Sequence, residues 1–366
     1  MSRPTVAEID LSALENNWNI FKEIQSVDKL IPVIKANAYG HGDLNVAQKL
    51  QQLGATRCAV AMVEEAQRIR DCGFKGSILI LGPFSKSEIP YLKQLNCTPI
   101  IGEKQNLIDL ATESFLDPIH IKWDTGMNRL GLKESDKVWL KDFINQNSPI
   151  KIQAFCTHFL KATDFLDETG FSVNQIHEFQ KIESHFPQVT EKHIFNSDSF
   201  FANQEKRRLS DSYGARLGIA LYGYSGVCNE WTKRLKPVMK LKTKIVHMTK
   251  VPKDQSVSYN ASWVAKRDSL VAVLPIGYAD GYPRSLSNKG QVFIQGQIVP
   301  LVGIVCMDYL MIDVTDVNNV YIGDEVEMWG DHLPLKTLAD SAGTIVYELI
   351  TALTARVPRR IVSHNT

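Results

Sequence analysis

The chain has 366 residues, of which 44% are hydrophobic and 22% charged, with a net charge of +1. That length supports a large buried core and two domains, and the near-neutral balance argues against a nucleic acid or an anionic membrane as the main partner. No apolar run follows Met1-Ser2-Arg3-Pro4 and no stretch reaches the length of a membrane span, so neither a secretory leader nor a membrane anchor is expected.

From the N-terminus to about residue 224, short apolar runs alternate with helix-like segments. The runs are Pro32-Val33-Ile34, Cys58 to Ala61, Ile78 to Leu81, Thr98 to Ile101, Ile119 to Trp123, Ile152 to Cys156, His193-Ile194-Phe195 and Gly214 to Gly223. Continuous short runs suit strands covered on both faces, as in a parallel sheet. Between them, Leu44 to Leu53, Val63 to Asp71 and Ser172 to Phe186 read as helices, the second stopped by Cys72-Gly73. Eight runs interleaved with helices predict an α/β chain with a (β/α)8 TIM-type barrel, and the pattern alone leaves an open doubly wound sheet as the alternative.

After about residue 230 the texture changes. Met239 to Val251, Leu270 to Pro275, Gln291 to Val305, Leu310 to Val314 and Glu325 to Trp329 read as strands separated by turn residues, and Leu335 to Leu353 reads as a helix. A barrel over residues 1–230 followed by a mostly antiparallel β domain over 231–366 is the expected division.

Barrel active sites form where the loops leave the C-terminal ends of the strands. The first run ends at Lys35, followed by the small-residue stretch Ala36-Asn37-Ala38-Tyr39-Gly40-His41-Gly42. A partly desolvated lysine there would have a lowered pKa and suit covalent attachment of a carbonyl compound, although a lysine taken alone is more often an exposed surface group. The fifth run ends at Lys122, with Asp124 to Arg129 beyond it; the sixth leads to Thr157-His158 and the seventh to Asn196-Ser197-Asp198-Ser199. The eighth holds Arg216-Leu217-Gly218-Ile219, where a glycine lets backbone N–H groups approach an anion. Phosphates in barrels commonly bind after the last two strands. Any one of these residues could be a loop or cap residue; five at one end of a barrel point to a site.

Other signals carry nothing. Gly277 to Gly281 lacks the setting of a dinucleotide fingerprint, no P-loop occurs, and no metal-ligand spacing is present. The six cysteines Cys58, Cys72, Cys97, Cys156, Cys228 and Cys306 form no CxxC pair, which fits a reducing cytoplasm better than a disulfide framework or a zinc knuckle.

The segment Val33 to Gly42 resembles the cofactor-lysine signature of the alanine racemases. So do, in order, His120 to Gly131, Arg216 to Gly223, Ser256 to Tyr259, Gly277 to Arg284, Cys306-Met307-Asp308, and Tyr347-Glu348 with Arg356 to Arg359. Leu217 stands where proline is common in that family. The resemblance covers essentially the whole chain, and it implies a fold of barrel plus β domain whose N-terminal strand joins the second domain.

It also implies a cytoplasmic homodimer with shared active sites, interconverting L- and D-alanine on pyridoxal 5'-phosphate (PLP) and supplying D-alanine for peptidoglycan. Lys35 would hold PLP and act as the base on the D-face, and Tyr259 would act on the L-face. Arg216 would face the pyridine nitrogen, with His158 and Leu81 beside the cofactor. Tyr39, Ser197, Gly218, Ile219 and Tyr347 would bind phosphate, and Arg129 would contact the phenolic oxygen and position the substrate. Lys122 matches a lysine often carbamylated in the family. Tyr259, Tyr278, Met307 and Asp308 would enter from the partner subunit.

Two other readings remain at this point. Another PLP barrel enzyme, such as a decarboxylase or a broad-specificity racemase, is the nearer one, and arginine rather than an acid at position 216 favours racemisation. A PLP-binding protein without catalysis is the other, and it would have no use for a second base at Tyr259.

Overall fold

A computed structural model describes residues 3–146, 150–167 and 169–362. It divides into two compact units. One comprises Ala13–Ala38 and Gly42–Lys236; the other comprises the chain up to Ser12, Tyr39–His41 and the chain from Pro237.

Strand β1 (Val6–Asp10) opens the chain and belongs to the second unit. The first unit is built on the next eight strands: β2 (Leu30–Pro32), β3 (Arg57–Val60), β4 (Ser77–Ile80), β5 (Cys97–Ile101), β6 (Pro118–Lys122), β7 (Lys151–Cys156), β8 (Glu191–Phe195) and β9 (Gly214–Leu217). They form one parallel sheet in the order β2-β9-β8-β7-β6-β5-β4-β3. The Ile34 N–H donates to Ala59 O at 2.9 Å and Val33 bridges Ala59 in parallel, which brings the two edge strands together and closes the barrel. The open-sheet alternative is thereby removed.

Burial explains why these runs became strands. β5 and β9 are buried along their whole length, which their near-continuous apolar sequence permits. Each outer helix turns one stripe inward: Val46, Ala47 and Leu50 from Asp43–Gln52, and Val63, Ala66 and Ile69 from Val63–Asp71. Burying an aliphatic side chain of this size contributes about 1.5–3 kcal/mol.

The second unit continues with β10 (Met239–Lys244), β11 (His247–Val251), β12 (Ser256–Val257), β13 (Trp263–Val264), β14 (Ser269–Leu274), β15 (Gln291–Ile294), β16 (Gln297–Pro300), β17 (Leu310–Asp313), β18 (Glu325–Trp329) and β19 (Arg359–Val362). Its larger sheet has the order β16-β15-β18-β10-β1-β19, so β1 lies between antiparallel β10 and parallel β19. A second sheet, β11-β14-β17, is wholly antiparallel and packs around Val251, Val257, Ala265, Val271 and Val302. Among the described residues no helix is long and apolar enough to cross a membrane.

Three boundaries differ from those read in the sequence. The run Met239 to Val251 is two strands that enter different sheets. The run Gln291 to Val305 folds back as a hairpin through Gln295 and Gly296, both at positive φ. Leu335 to Leu353 is two helices, Leu335–Ala342 and Val346–Ala352, because Gly343 ends the first in the left-handed conformation.

Candidate active site

Within the barrel unit, the residues singled out from sequence all lie at the C-terminal ends of strands. Lys35 follows β2, Leu81 follows β4, Lys122 ends β6, His158 follows β7, Ser197 follows β8, and Arg216 to Ile219 end and follow β9. Leu81 is half-buried and its N–H donates to Val60 O at 2.8 Å. Arg129 stands exposed in the loop after β6. Asp124 shapes that loop by accepting the N–H groups of Gly126 and Asn128, each at 3.0 Å, and the Lys133 ammonium at 2.6 Å.

The backbone after Lys35 is unusual. Ala36, Asn37, Ala38 and Tyr39 all have φ between 51° and 55°, one turn of left-handed helix without a glycine. For L-residues this costs on the order of 1–2 kcal/mol each, so neighbouring groups must hold it. Glu65 Oε1 accepts the Ala36 N–H at 2.7 Å while its Oε2 accepts the Ala61 N–H, also at 2.7 Å. Asn37 Oδ1 accepts the Asp43 N–H at 3.0 Å, and Asn37 O accepts the Gly42 N–H at 3.0 Å.

Charge dominates the cluster. Burial and the nearby Arg129 lower the pKa of Lys35, against a smaller opposing pull from Glu65. Burial also lowers the pKa of Lys122, with Arg216 and Arg129 adding to the effect. His158 is held well below the ordinary histidine range, first by burial and then by Arg216, Lys122, Arg129 and Lys35. The site therefore gathers two amines of lowered pKa beside Arg129 and Arg216, an arrangement suited to an anionic ligand with a reactive carbonyl.

Arg216 is 7% exposed, and its donors can be accounted for. Nη1 donates to His193 O and to His193 Nδ1, the latter at 2.8 Å; Nη2 donates to Thr157 O and to His158 Nδ1, the latter at 3.1 Å. These four contacts match the four terminal N–H groups of a guanidinium, leaving Nε–H for a further acceptor. His158 accepts at Nδ1, so its proton is on Nε2 and points away from Arg216. On the other side of β9, Ser197 Oγ accepts the Gly218 N–H at 2.9 Å and the Ala220 N–H at 3.4 Å. Ser197 opens the helix Ser197–Lys206, whose N-cap Asn196 accepts the Ser199 N–H at 2.9 Å. Ile219 is buried beneath this turn. Backbone N–H groups gathered at a helix N-terminus form a ready anion cradle.

The second unit carries the other expected residues. The Tyr39 and Tyr347 rings lie 6.1 Å apart between centroids, and burial pushes the Tyr39 phenol up to about 12. Arg359 anchors this stretch of backbone: its Nε donates to Gly40 O at 2.8 Å while its Nη groups serve Leu353 O, Thr354 O and Val357 O. Gly40 has φ +82°, and a Cβ there would lie 2.0 Å from Ile350 O.

Two loops are stapled together by backbone bonds from Tyr278 N–H to Cys306 O and from Ala279 N–H to Met307 O, both 3.0 Å. Asp308 accepts from Arg356 at 2.6 Å, and Asp280 pairs with Arg3 at 3.0 Å. On this scaffold Tyr278, Met307 and Tyr259 are exposed, Tyr259 to 68%. Among the described residues no group of three or more His, Cys, Asp or Glu side chains is placed to hold a metal ion.

The chain was compared with known proteins. Residues 9–226 match the model of the alanine racemase N-terminal domain and residues 238–361 that of the alanine racemase C-terminal domain. The chain belongs to the alanine racemase family. A curated alanine racemase of Halothermothrix orenii is 37% identical, covering 98% of this chain and 97% of its own. An alanine racemase from Bartonella henselae, solved with covalently bound pyridoxal phosphate, superposes with a TM-score of 0.89 at 29% identity, covering 98% and 99% of the two chains. One from Bacillus anthracis, solved with bound L-Ala-P, has a TM-score of 0.89 at 31% identity, covering 100% and 96%.

Set among alanine racemases, this chain shows functional support that its motifs did not reveal. Glu65 is the clearest case; it lies in the first turn of a helix and nothing in the sequence pointed from it to Lys35. His193 had no sequence signal beyond lying in a strand-like run, and His120 none beyond opening the segment His120 to Gly131, with no role attached to it.

Proposed function

We propose that the chain racemises alanine, with PLP held at Lys35 and a second copy of the chain completing each site. The observation that carries this reading is the guanidinium of Arg216, whose four terminal N–H groups are used within the barrel so that Nε–H is left to meet a ring nitrogen.

The residues fit the cofactor. Lys35 is a partly buried amine with a lowered pKa, as attachment of an aldehyde requires. Ser197, at the start of a ten-residue helix, and Gly218 and Ile219, in the turn after β9 that bonds to it, fit a phosphate. Tyr39 and Tyr347 are a further pair of phosphate-binding candidates. When bound, PLP acidifies the Cα proton of an attached amino acid by delocalising the charge left behind.

The protein then needs a proton acceptor on each face of Cα. Lys35 Nζ serves the D-face, taking or returning the proton there. Tyr259 Oη serves the L-face. Its exposure on the β unit, with Tyr278, Met307 and Asp308 on the neighbouring loops, supports its insertion into the barrel of a second copy, which makes the homodimer the working form. Arg129 receives the substrate side of the site. Lys122, whose pKa burial and two arginines lower, is suited to carbamylation, and the resulting anion would pair with Arg129.

With PLP bound, Arg216 would donate to its ring nitrogen without surrendering a proton, and a permanent donor there would favour return of the proton to Cα over transamination. A cytoplasmic location and a supply of D-alanine for peptidoglycan follow from the family's general role.

The deciding test incubates L-alanine with purified protein and PLP in deuterated water, followed by chiral chromatography and mass analysis. D-alanine carrying deuterium at Cα is expected. No D-alanine from folded, PLP-loaded protein would overturn the reading.

A further inference from the structure

Arg216 is the near end of a longer hydrogen-bonded chain that runs from the buried histidines of the barrel to its solvent-facing N-terminal end. His193 Nε2 meets His120 Nδ1 at 2.8 Å, and the Gln153 side chain is a hydrogen-bonding neighbour of His120. Gln153 Nε2 donates to Glu191 Oε2 at 3.1 Å, and the other Glu191 oxygen pairs with Arg57. Both histidines are about 1% exposed, His120 on β6 and His193 on β8. The chain ends at a cavity of about 300 Å³ at the N-terminal end of the strands, lined among others by Lys29, Arg57, Glu191, Lys192 and His193.

The direction of every bond follows from its two ends. A guanidinium can only donate, so His193 must accept at Nδ1 and carry its proton on Nε2. That proton goes to His120 Nδ1, which places the His120 proton on Nε2, facing the Gln153 oxygen. The Gln153 amide then donates to Glu191, an ionised carboxylate that can only accept. A cation at one end and an anion at the other thus set the tautomers of two buried histidines between them. Either ring reversed would bring donor against donor, or acceptor against acceptor, between two histidines that are themselves buried. Among the described residues Arg216 and Arg57 act on the pair, Asp28, Lys29, Glu191 and Lys192 line the cavity beside His193, and burial keeps both rings neutral.

We propose that His193 and His120 are positioning residues for Arg216, and that the Arg57–Glu191 pair at the far end of the barrel fixes the direction of the relay joining them. His193 Nδ1 holds one terminal N–H of the guanidinium, and with Thr157 O and His158 Nδ1 it sets the plane in which Nε–H points. The consequence for the cofactor rests on the reading of Arg216 given above; the tautomers do not.

The test uses the PLP-loaded protein labelled with [15N]histidine and long-range 1H–15N correlation spectra. In the unsubstituted protein, His193 and His120 are each expected to show a protonated Nε2 and an unprotonated Nδ1 between pH 6 and 8. His120→Asn, whose side-chain oxygen can take the place of the lost Nδ1, should leave the His193 pattern unchanged. His120→Leu, which removes the acceptor, should move His193 towards a mixture in which Nδ1 is partly protonated. Glu191→Gln, which can present either oxygen or amide to Gln153, should do the same to His120. His193 protonated on Nδ1 or on both nitrogens in the unsubstituted protein would overturn the proposal. So would a His193 signal identical in His120→Leu and His120→Asn, both folded by circular dichroism. Correct tautomers without racemase activity would count against the function and not against the relay.

Discussion

Glu65 and Ala36 are joined by a hydrogen bond of 2.7 Å, carboxylate oxygen to backbone N–H, at the first residue of the left-handed turn that begins beyond Lys35. The helix that follows β3 thereby holds the backbone that follows β2, and the same carboxylate holds the N–H of Ala61. Hydrogen bonds to a charged group contribute roughly 1.5–3 kcal/mol. Glu65→Ala should therefore destabilise the chain by about 1–3 kcal/mol and weaken PLP retention, checked by urea unfolding and by cofactor loss on gel filtration. Unchanged values for both would show that the turn holds itself.

Glu65 also opposes the lowering of the Lys35 pKa. Glu65→Gln keeps an acceptor for Ala36 but removes the charge, so the Lys35 pKa should fall further. Reductive methylation of the apoprotein at a series of pH values reads this directly: half-maximal labelling of Lys35 should shift to lower pH.

Stability should decline on mild acidification. Burial, Arg57 and Arg216 lower the His120 pKa to about 3, and His193 and His158 are also held low. An unfolded histidine titrates near 6.5. Below about pH 6.5 the unfolded chain binds protons that the folded chain refuses, so stability falls progressively from there towards pH 3. The urea midpoint should drop between pH 7 and 5 by more than it does in His120→Asn. Equal slopes would show that the relay histidine does not contribute.

Tyr259→Phe should fold and load PLP normally, since Tyr259 is exposed on its own chain. Loss of a general base typically costs about 10²–10⁴-fold in rate. Proton NMR in deuterated water separates the two faces: D-alanine should still exchange its Cα proton through Lys35, while L-alanine should not. Equal residual exchange of both would remove Tyr259 from the mechanism.

Arg216→Glu would place a protonatable acid where a permanent donor stands. Transamination, seen as pyridoxamine phosphate accumulating during turnover, should rise relative to racemisation. An unchanged partition would break the link between this residue and reaction choice.

Much of the architecture was legible because barrel strands are buried on both faces and leave unbroken apolar runs, as in Thr98 to Ile101 and Ile119 to Trp123. Lys35, Lys122, His158, Ser197 and Arg216 could be gathered in advance because each ends such a run. The left-handed turn was not legible: Ala36, Asn37, Ala38 and Tyr39 include no glycine to announce positive φ, and its support comes from Glu65, 29 residues away from Ala36. The break at Gly343 could have been read, since a glycine inside a helical pattern is a recognised stop.

The sequence by itself determined the order of strands and helices, the polar residues at the strand ends, and the family. Those are local patterns, written in neighbouring residues. Which partners those residues take was decided only in the tertiary structure. His120 and His193 are 73 residues apart and meet because β6 and β8 flank β7 in a closed sheet. Their tautomers, and the aim of Arg216, then follow from a chain of contacts between residues that are nowhere adjacent in sequence.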